Sequence, residues 1–294
     1  VAAVTPSRPG LVEPYAPVDR LPSYQAGRSA EMVAAEYGLA EAIKLASNES
    51  PFGPLPSVAD AIAAATSAIN RYPHVTAGPL REALAEIHGG TADEIVVGTG
   101  SSGVLWQLAS AYVAPGDEIV MHTPAFEAYP IIATMSKAQP VEVPLTDWAT
   151  DVERLAAAVT SRTKVVFLTD PHNPTGTRIA PEEIRWLAGE LAGRCMLVVD
   201  QAYHEFAPSV GSPLGALFRE FPDTVLLRTF SKAYGLAALR VGYAGAALPV
   251  ANALRRVAPP FAVGSVSIVA AEASLRAADE LAERHRESIE VYFD

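Results

Sequence analysis

The sequence predicts an α/β fold built on a mostly parallel, seven-stranded sheet with helices on both faces. Two observations carry that expectation. From residue 94 onward, short apolar runs rich in Val, Ile and Leu alternate with helix-length segments. The central runs, 164–168, 196–199 and 224–227, read as continuous apolar stretches, which suits strands covered on both faces. A third feature is the polar or small residue that follows each run, where ligands of such sheets sit, at the strands' carboxyl ends.

Taken in order, residues 1–23 are Pro-rich and aperiodic and read as an extended arm across another surface. Residues 31–37 form a helix that Gly38 ends. A short strand over 43–46 runs into a polar loop punctuated by Pro51, Gly53 and Pro54. Helices follow over 57–69, capped by Ser57, and over 79–88, with Pro79 near the first position. Between them, Arg71-Tyr72-Pro73 places an aromatic in a turn. Strands are expected at 95–97, 118–121, 141–143, 164–168, 196–199, 224–227 and 240–244. Helices are expected at 102–113, 127–136, 152–159 and 181–191.

Composition narrows the function classes. Half of the 294 residues are apolar and 19% are charged, an ordinary globular balance. A net charge of −11 disfavours nucleic acid or an anionic membrane as the main partner. The single cysteine, Cys195, heads an apolar run and reads as a buried thiol, which leaves no disulfide framework and no cysteine-based metal cluster. No apolar run reaches the length of a membrane span, and no metal site or leader is read from the sequence. A cytoplasmic protein is expected.

Chemistry gathers at the strand ends. After the first strand, GTGSSG at 98–103 opens a helix, whose N-terminus with small residues, Ser101 and Ser102 among them, offers backbone N–H groups to a phosphate. Read literally this is a dinucleotide motif. The ribose-binding acid that a dinucleotide site needs at the end of the next strand is missing: Asp117 and Glu118 stand at its start. Phe126, in the following loop, is either core or a plate for a flat heteroaromatic ring. Asn173, in DPHNPTG at 170–176, is either a turn former or a rigid amide donor. Asp200 follows four apolar strand residues and is therefore expected to be buried, as a helix cap or as the partner of a buried cation. A protonated pyridine nitrogen is such a cation, and Tyr203 and Asn173 then stand near the ring's phenolic oxygen.

The most informative stretch is RTFSKAYGLAALRVGY at 228–243. The chain has four lysines against eighteen arginines, and the flanks of Lys232 are apolar and aromatic rather than charged. An amine held out of water is partly neutral and condenses with a carbonyl. Thr229, Ser231 and Arg240 around it are what a phosphate dianion requires. A Schiff-base lysine beside a phosphate site is the minimum for pyridoxal 5′-phosphate.

These residues, in this order, resemble the fold-type I pyridoxal-phosphate-dependent aminotransferases, and among them the histidinol-phosphate aminotransferase family. The resemblance rests on LPSYQAGR at 21–28, IKLASNE at 43–49, RYP at 71–73, NPTGT at 173–177, DQAY at 200–203 and the 228–243 block. FGPLPSV at 52–58 and AADEL at 277–281 are more similar to the actinobacterial aromatic (phenylalanine) aminotransferases of that family. The resemblance implies transamination between an amino acid, aromatic by preference, and a 2-oxo acid. Histidinol phosphate is the alternative substrate, and an amino-acid-phosphate decarboxylase or a non-catalytic homologue the more distant readings.

The family pattern also implies roles. Lys232 would carry the cofactor, Asp200 pair with its ring nitrogen, Asn173 and Tyr203 hold its phenolic oxygen, and Phe126 stack on the ring. Ser101, Ser102, Thr229, Ser231 and Arg240 would bind the phosphate. In a homodimer Tyr72 would reach the partner's cofactor, and Tyr24 and Asn48 would lie near the substrate. The domains implied are an arm and small-domain part over 1–46, a large cofactor domain over 47–275, and the incomplete start of a C-terminal small-domain part over 276–294. The family pattern continues beyond Asp294, where it supplies an arginine for the substrate α-carboxylate. Gly103 or Ser102 stands where the family often has Asp, Gln201 replaces a commoner Glu, and His172 a commoner Asn.

Overall fold

Seven strands form one sheet in the computed structural model, which describes residues 21, 27–207 and 214–293. They are β1 (Ile95–Gly98), β2 (Glu118–Thr123), β3 (Gln139–Pro144), β4 (Thr163–Thr169), β5 (Met196–Asp200), β6 (Thr224–Thr229) and β7 (Gly242–Ala246). Their spatial order is β1-β7-β6-β5-β4-β2-β3. β7 runs antiparallel to both β1 and β6, while the pairs from β6 across to β3 are parallel. The mostly parallel, seven-stranded expectation therefore holds, and the ends of β1, β2, β4, β5 and β6 emerge along one edge.

The strands are apolar throughout because both faces are covered. Val166, Leu168, Leu197, Val199 and Leu226 point into one core, and Val165, Phe167, Val198, Val225 and Leu227 into the other. This is the period-2 alternation of strand side chains, with each face burying its own set. The first core is closed by α2 (Pro56–Ala65), α3 (Gly78–His88), α6 (Val152–Ala157), α7 (Pro181–Leu191), α8 (Leu214–Glu220) and α10 (Ser265–Arg276), through residues such as Val58, Leu80, Leu155, Leu187, Phe218 and Ile268. The second is closed by α4 (Gly100–Tyr112), α5 (Ala128–Met135) and α9 (Leu248–Val257), through Leu105, Leu108, Ile132 and Leu254. Each such side chain contributes roughly 1.5–3 kcal/mol when fully removed from water. Outside these layers lies α1 (Ala30–Tyr37), ended as expected by Gly38 in the left-handed region, while α11 (Ala278–Phe293) touches the first core through Leu281.

Several expectations need correction. The strand expected at 43–46 does not form: Ile43 and Leu45 are 84% and 86% exposed, and a short 3-10 turn follows over Ala46–Asn48. Ser47 and Asn48 both have positive φ, which ends any extended run. Ser57 does not cap α2, because the helix starts earlier at Pro56, with Leu55 in the cap position. Pro suits that first turn because its missing N–H would have no helical partner there. β7 begins at Gly242 rather than 240, since Arg240 adopts φ 49°, outside strand geometry. Cys195 is buried as expected, and burial pushes its thiol up to about 11. Among the described residues no helix is long and apolar enough to cross a membrane.

Candidate active site

At the carboxyl edge of the sheet lies a cavity of about 630 Å³. Its walls include Ser101, Ser102, Phe126, Asn173, Asp200, Tyr203, Thr229, Ser231, Lys232 and Arg240. All ten residues, widely separated in sequence, are thus brought to one space. Asn48 touches the same space through hydrogen bonds. Tyr72 lies away from it, 83% exposed, its ring stacked on Phe261 at 4.8 Å. Tyr24 falls outside the described residues.

One end of the cavity is an anion cradle. α4 starts at Gly100, with φ 76°, and no side chain caps its first turn, so N–H groups are directed at the cavity. A Cβ at Gly100 would stand 2.7 Å from an Arg240 guanidinium nitrogen, and one at Gly242 would stand 2.6 Å from the Gly100 carbonyl carbon. Two glycines therefore allow β7, the helix start and Arg240 to converge. Thr229 Oγ1 donates to Ser231 Oγ at 3.0 Å, and Arg240 Nη1 donates to the same Ser231 oxygen at 3.3 Å. Ser102 lines the cavity, whereas Gly103 packs under the Thr99 side chain, where a Cβ would collide with the hydroxyl. A side chain at position 103 would require Thr99 to move, and Ser102 is the one that faces the cradle.

The other end is built on β5. Asp200 is 3% exposed; its Oδ2 accepts from Tyr129 Oη at 2.8 Å and its Oδ1 from the Ala202 N–H at 3.1 Å. Burial pushes this carboxyl up to about 6, against the opposing pull of those two donors and of the Lys232 charge. Across the cavity, Asn48 Nδ2 donates to Tyr203 Oη at 3.1 Å and approaches Asn173 Oδ1 at 3.5 Å. The Asn173 turn is fixed from behind by Asp170, which accepts from Arg178 Nε at 2.9 Å and from the Ile179 N–H at 3.0 Å.

Lys232 sits between the two ends. Its Nζ donates to the carbonyl oxygens of Ser47 and Asn48 at 2.9 and 3.0 Å and lies 5.6 Å from the Tyr203 ring centroid. Burial lowers its pKa first, with Arg240 acting in the same direction, while Glu49 and Asp200 oppose the shift. An amine so placed gives up its proton more readily than a surface lysine. Tyr129, Thr169 and Trp106 also line the cavity and were missed by sequence reasoning. Tyr129 stands in the apolar run AYPII, which has the pattern of core and gave no signal of a site residue.

The space fits a flat ring carrying a phosphate: uncapped N–H groups, two hydroxyls and an arginine at one end, a buried carboxylate at the other, and an amine between. Fold and site together suit an enzyme that acts on amines. The model of the family "aminotransferase class I and II" matches residues 40–292, and the chain belongs to that family. Among curated relatives, an aromatic amino acid aminotransferase from Thermobifida fusca is 44% identical over 91% of this chain and 73% of its own length. A histidinol-phosphate aminotransferase from Ruegeria pomeroyi is 43% identical over 83% of this chain and 68% of its own. The crystal structure of histidinol-phosphate aminotransferase from Sinorhizobium meliloti in complex with pyridoxal-5′-phosphate superposes with a TM-score of 0.86. It is 30% identical, with 95% of this chain and 75% of that one covered.

Proposed function

We propose that this chain is a pyridoxal-phosphate-dependent aminotransferase that moves an amino group between an aromatic amino acid and a 2-oxo acid. The observation that carries the reading is the convergence of Lys232, Asp200, Asn173, Tyr203 and Arg240 on one cavity. When bound, the cofactor supplies an electron sink for the bond broken at the amino acid's α-carbon. Lys232 would attach the cofactor and, once released, would move the proton at that carbon. Asp200 would face the ring nitrogen, Asn173 and Tyr203 would hydrogen-bond the phenolic oxygen, and Phe126 would cover one ring face. Ser101, Ser102, Thr229, Ser231 and Arg240 would hold the phosphate.

Ser47 and Asn48 close the cavity over the lysine, which supports a place for Asn48 beside the substrate; the substrate role of Tyr24 rests on the family resemblance alone. The protein works as a cytoplasmic homodimer in which the exposed Tyr72 reaches the partner's cofactor. The arm over 1–46, large domain over 47–275 and small-domain part from 276 follow the same division.

The aromatic preference is supported by the name of the Thermobifida relative, at 44% identity. The second reading, histidinol phosphate, is supported by the Ruegeria relative at 43%. The test is the visible spectrum of protein reconstituted with pyridoxal phosphate, followed by kinetics with both donors. Phenylalanine should bleach the visible band, with a kcat/KM above that for histidinol phosphate. The reverse order would transfer the assignment to histidinol phosphate, and release of CO2 instead of a 2-oxo acid would point to decarboxylation.

A further inference from the structure

Asp200 is served by a side chain that the family motifs quoted above do not include. The Tyr129 ring is 1% exposed, stacked on Phe167 at 4.3 Å with its edge to Phe126 at 5.6 Å. Its hydroxyl lies 2.8 Å from Asp200 Oδ2 and 3.0 Å from Thr169 Oγ1. Packing on two sides leaves the phenol one orientation, and that orientation directs its O–H at the carboxylate.

We propose that Tyr129 is a positioning residue that keeps Asp200 ionised and aimed, so that the proton shared with the cofactor stays on the ring nitrogen. The inference rests on the pyridoxal-phosphate reading above. Its physical basis is the basicity of the carboxylate. A buried carboxylate beside a pyridine nitrogen competes with it for one proton, and each donor to the carboxylate makes it a weaker competitor. Burial and the Asp200 charge hold the phenol's own pKa well above its ordinary value, so Tyr129 remains a donor. Thr169, at the end of β4, can donate to the Tyr129 oxygen and so orient that proton. The other titratable groups facing Asp200 are Lys232, whose charge stabilises the carboxylate, and Tyr203, a neutral phenol.

Tyr129→Phe keeps the stacked ring and removes the hydroxyl alone. Two measurements test it, one without the cofactor. In the cofactor-free protein, the Asp200 carboxyl carbon, assigned by its loss in Asp200→Asn, should titrate about one to two pH units higher in Tyr129→Phe than in the unmodified protein, the effect of losing one hydrogen bond to a charged group. In protein loaded with ¹⁵N-labelled pyridoxal phosphate, the ring-nitrogen resonance should move from the protonated toward the neutral position. Thr169→Val should shift both readouts in the same direction by less, and it supplies the result if Tyr129→Phe does not fold. Unchanged Asp200 titration and ring-nitrogen resonance in both variants would overturn the proposal. If the unmodified protein binds no pyridoxal phosphate, the functional reading fails, while the cofactor-free titration still decides the Tyr129–Asp200 coupling.

Discussion

Lys232→Ala should lower transamination by about 10⁴-fold or more, because one amine both attaches the cofactor and moves the proton, and loss of such a group removes both terms together. The site argues for a specific rather than a structural effect. Lys232 reaches across the cavity to the carbonyls of Ser47 and Asn48, and it is neither in a core cluster nor in an ion pair with a close acidic partner. Removing the side chain should therefore leave the melting temperature of the cofactor-free protein nearly unchanged. Turnover assays and thermal denaturation on the same preparation separate the two effects. A variant that keeps more than about a hundredth of the activity would contradict the assignment of the proton transfer to this lysine.

Asp200→Asn should act in opposite directions on the cofactor-free and loaded proteins. In the cofactor-free protein the Asp200 carboxyl titrates at about 6, above the ordinary 3.8, because burial disfavours its charge. The folded-state value exceeds the unfolded one, so the group opposes folding increasingly as pH rises from about 4 to 6, and fully above that. Asn carries no charge, so the variant should be more stable than the unmodified protein at pH 8, by on the order of 2–3 kcal/mol, and little different at pH 4. With pyridoxal phosphate the order reverses. The ring nitrogen loses its charged partner, cofactor affinity should fall about ten- to a hundredfold, and turnover by on the order of 10²–10³. Denaturation curves at the two pH values, with and without cofactor, read all of these. A variant less stable than the unmodified protein at pH 8 without cofactor would contradict the account of Asp200 burial.

How far such a site could be read from sequence differs from residue to residue. Asp200 was legible because a carboxylate ending the run MLVV must be carried into the interior by the strand, and it is 3% exposed. Lys232, Ser231 and Arg240 were legible because polar residues stand close together in an apolar segment. Their convergence with residues 101, 126, 173 and 203 followed from parallel strands, which bring distant carboxyl ends to one edge. Tyr129 was not legible in that way, since a tyrosine in the run AYPII has the pattern of core, and its hydrogen bond to Asp200 depends on the packing of α5 over β4 and β5. α8, α9 and α10 were not read from the sequence, although in α9 the buried Val250, Ala251 and Leu254 stand at helical spacing. The 43–46 run misled in the other direction: Ile43 and Leu45 have strand-like spacing, yet no strand edge lies beside them.

The central claim, that Lys232 is the amine to which the cofactor attaches, has a direct measurement. Protein incubated with pyridoxal phosphate is reduced with borohydride, digested and mapped by mass spectrometry, which fixes the cofactor on whichever lysine held it. With four lysines in the chain the outcome is unambiguous. The account predicts the pyridoxyl mass on the peptide containing Lys232. Label on Lys44, Lys137 or Lys164 instead, or on no lysine, would contradict it.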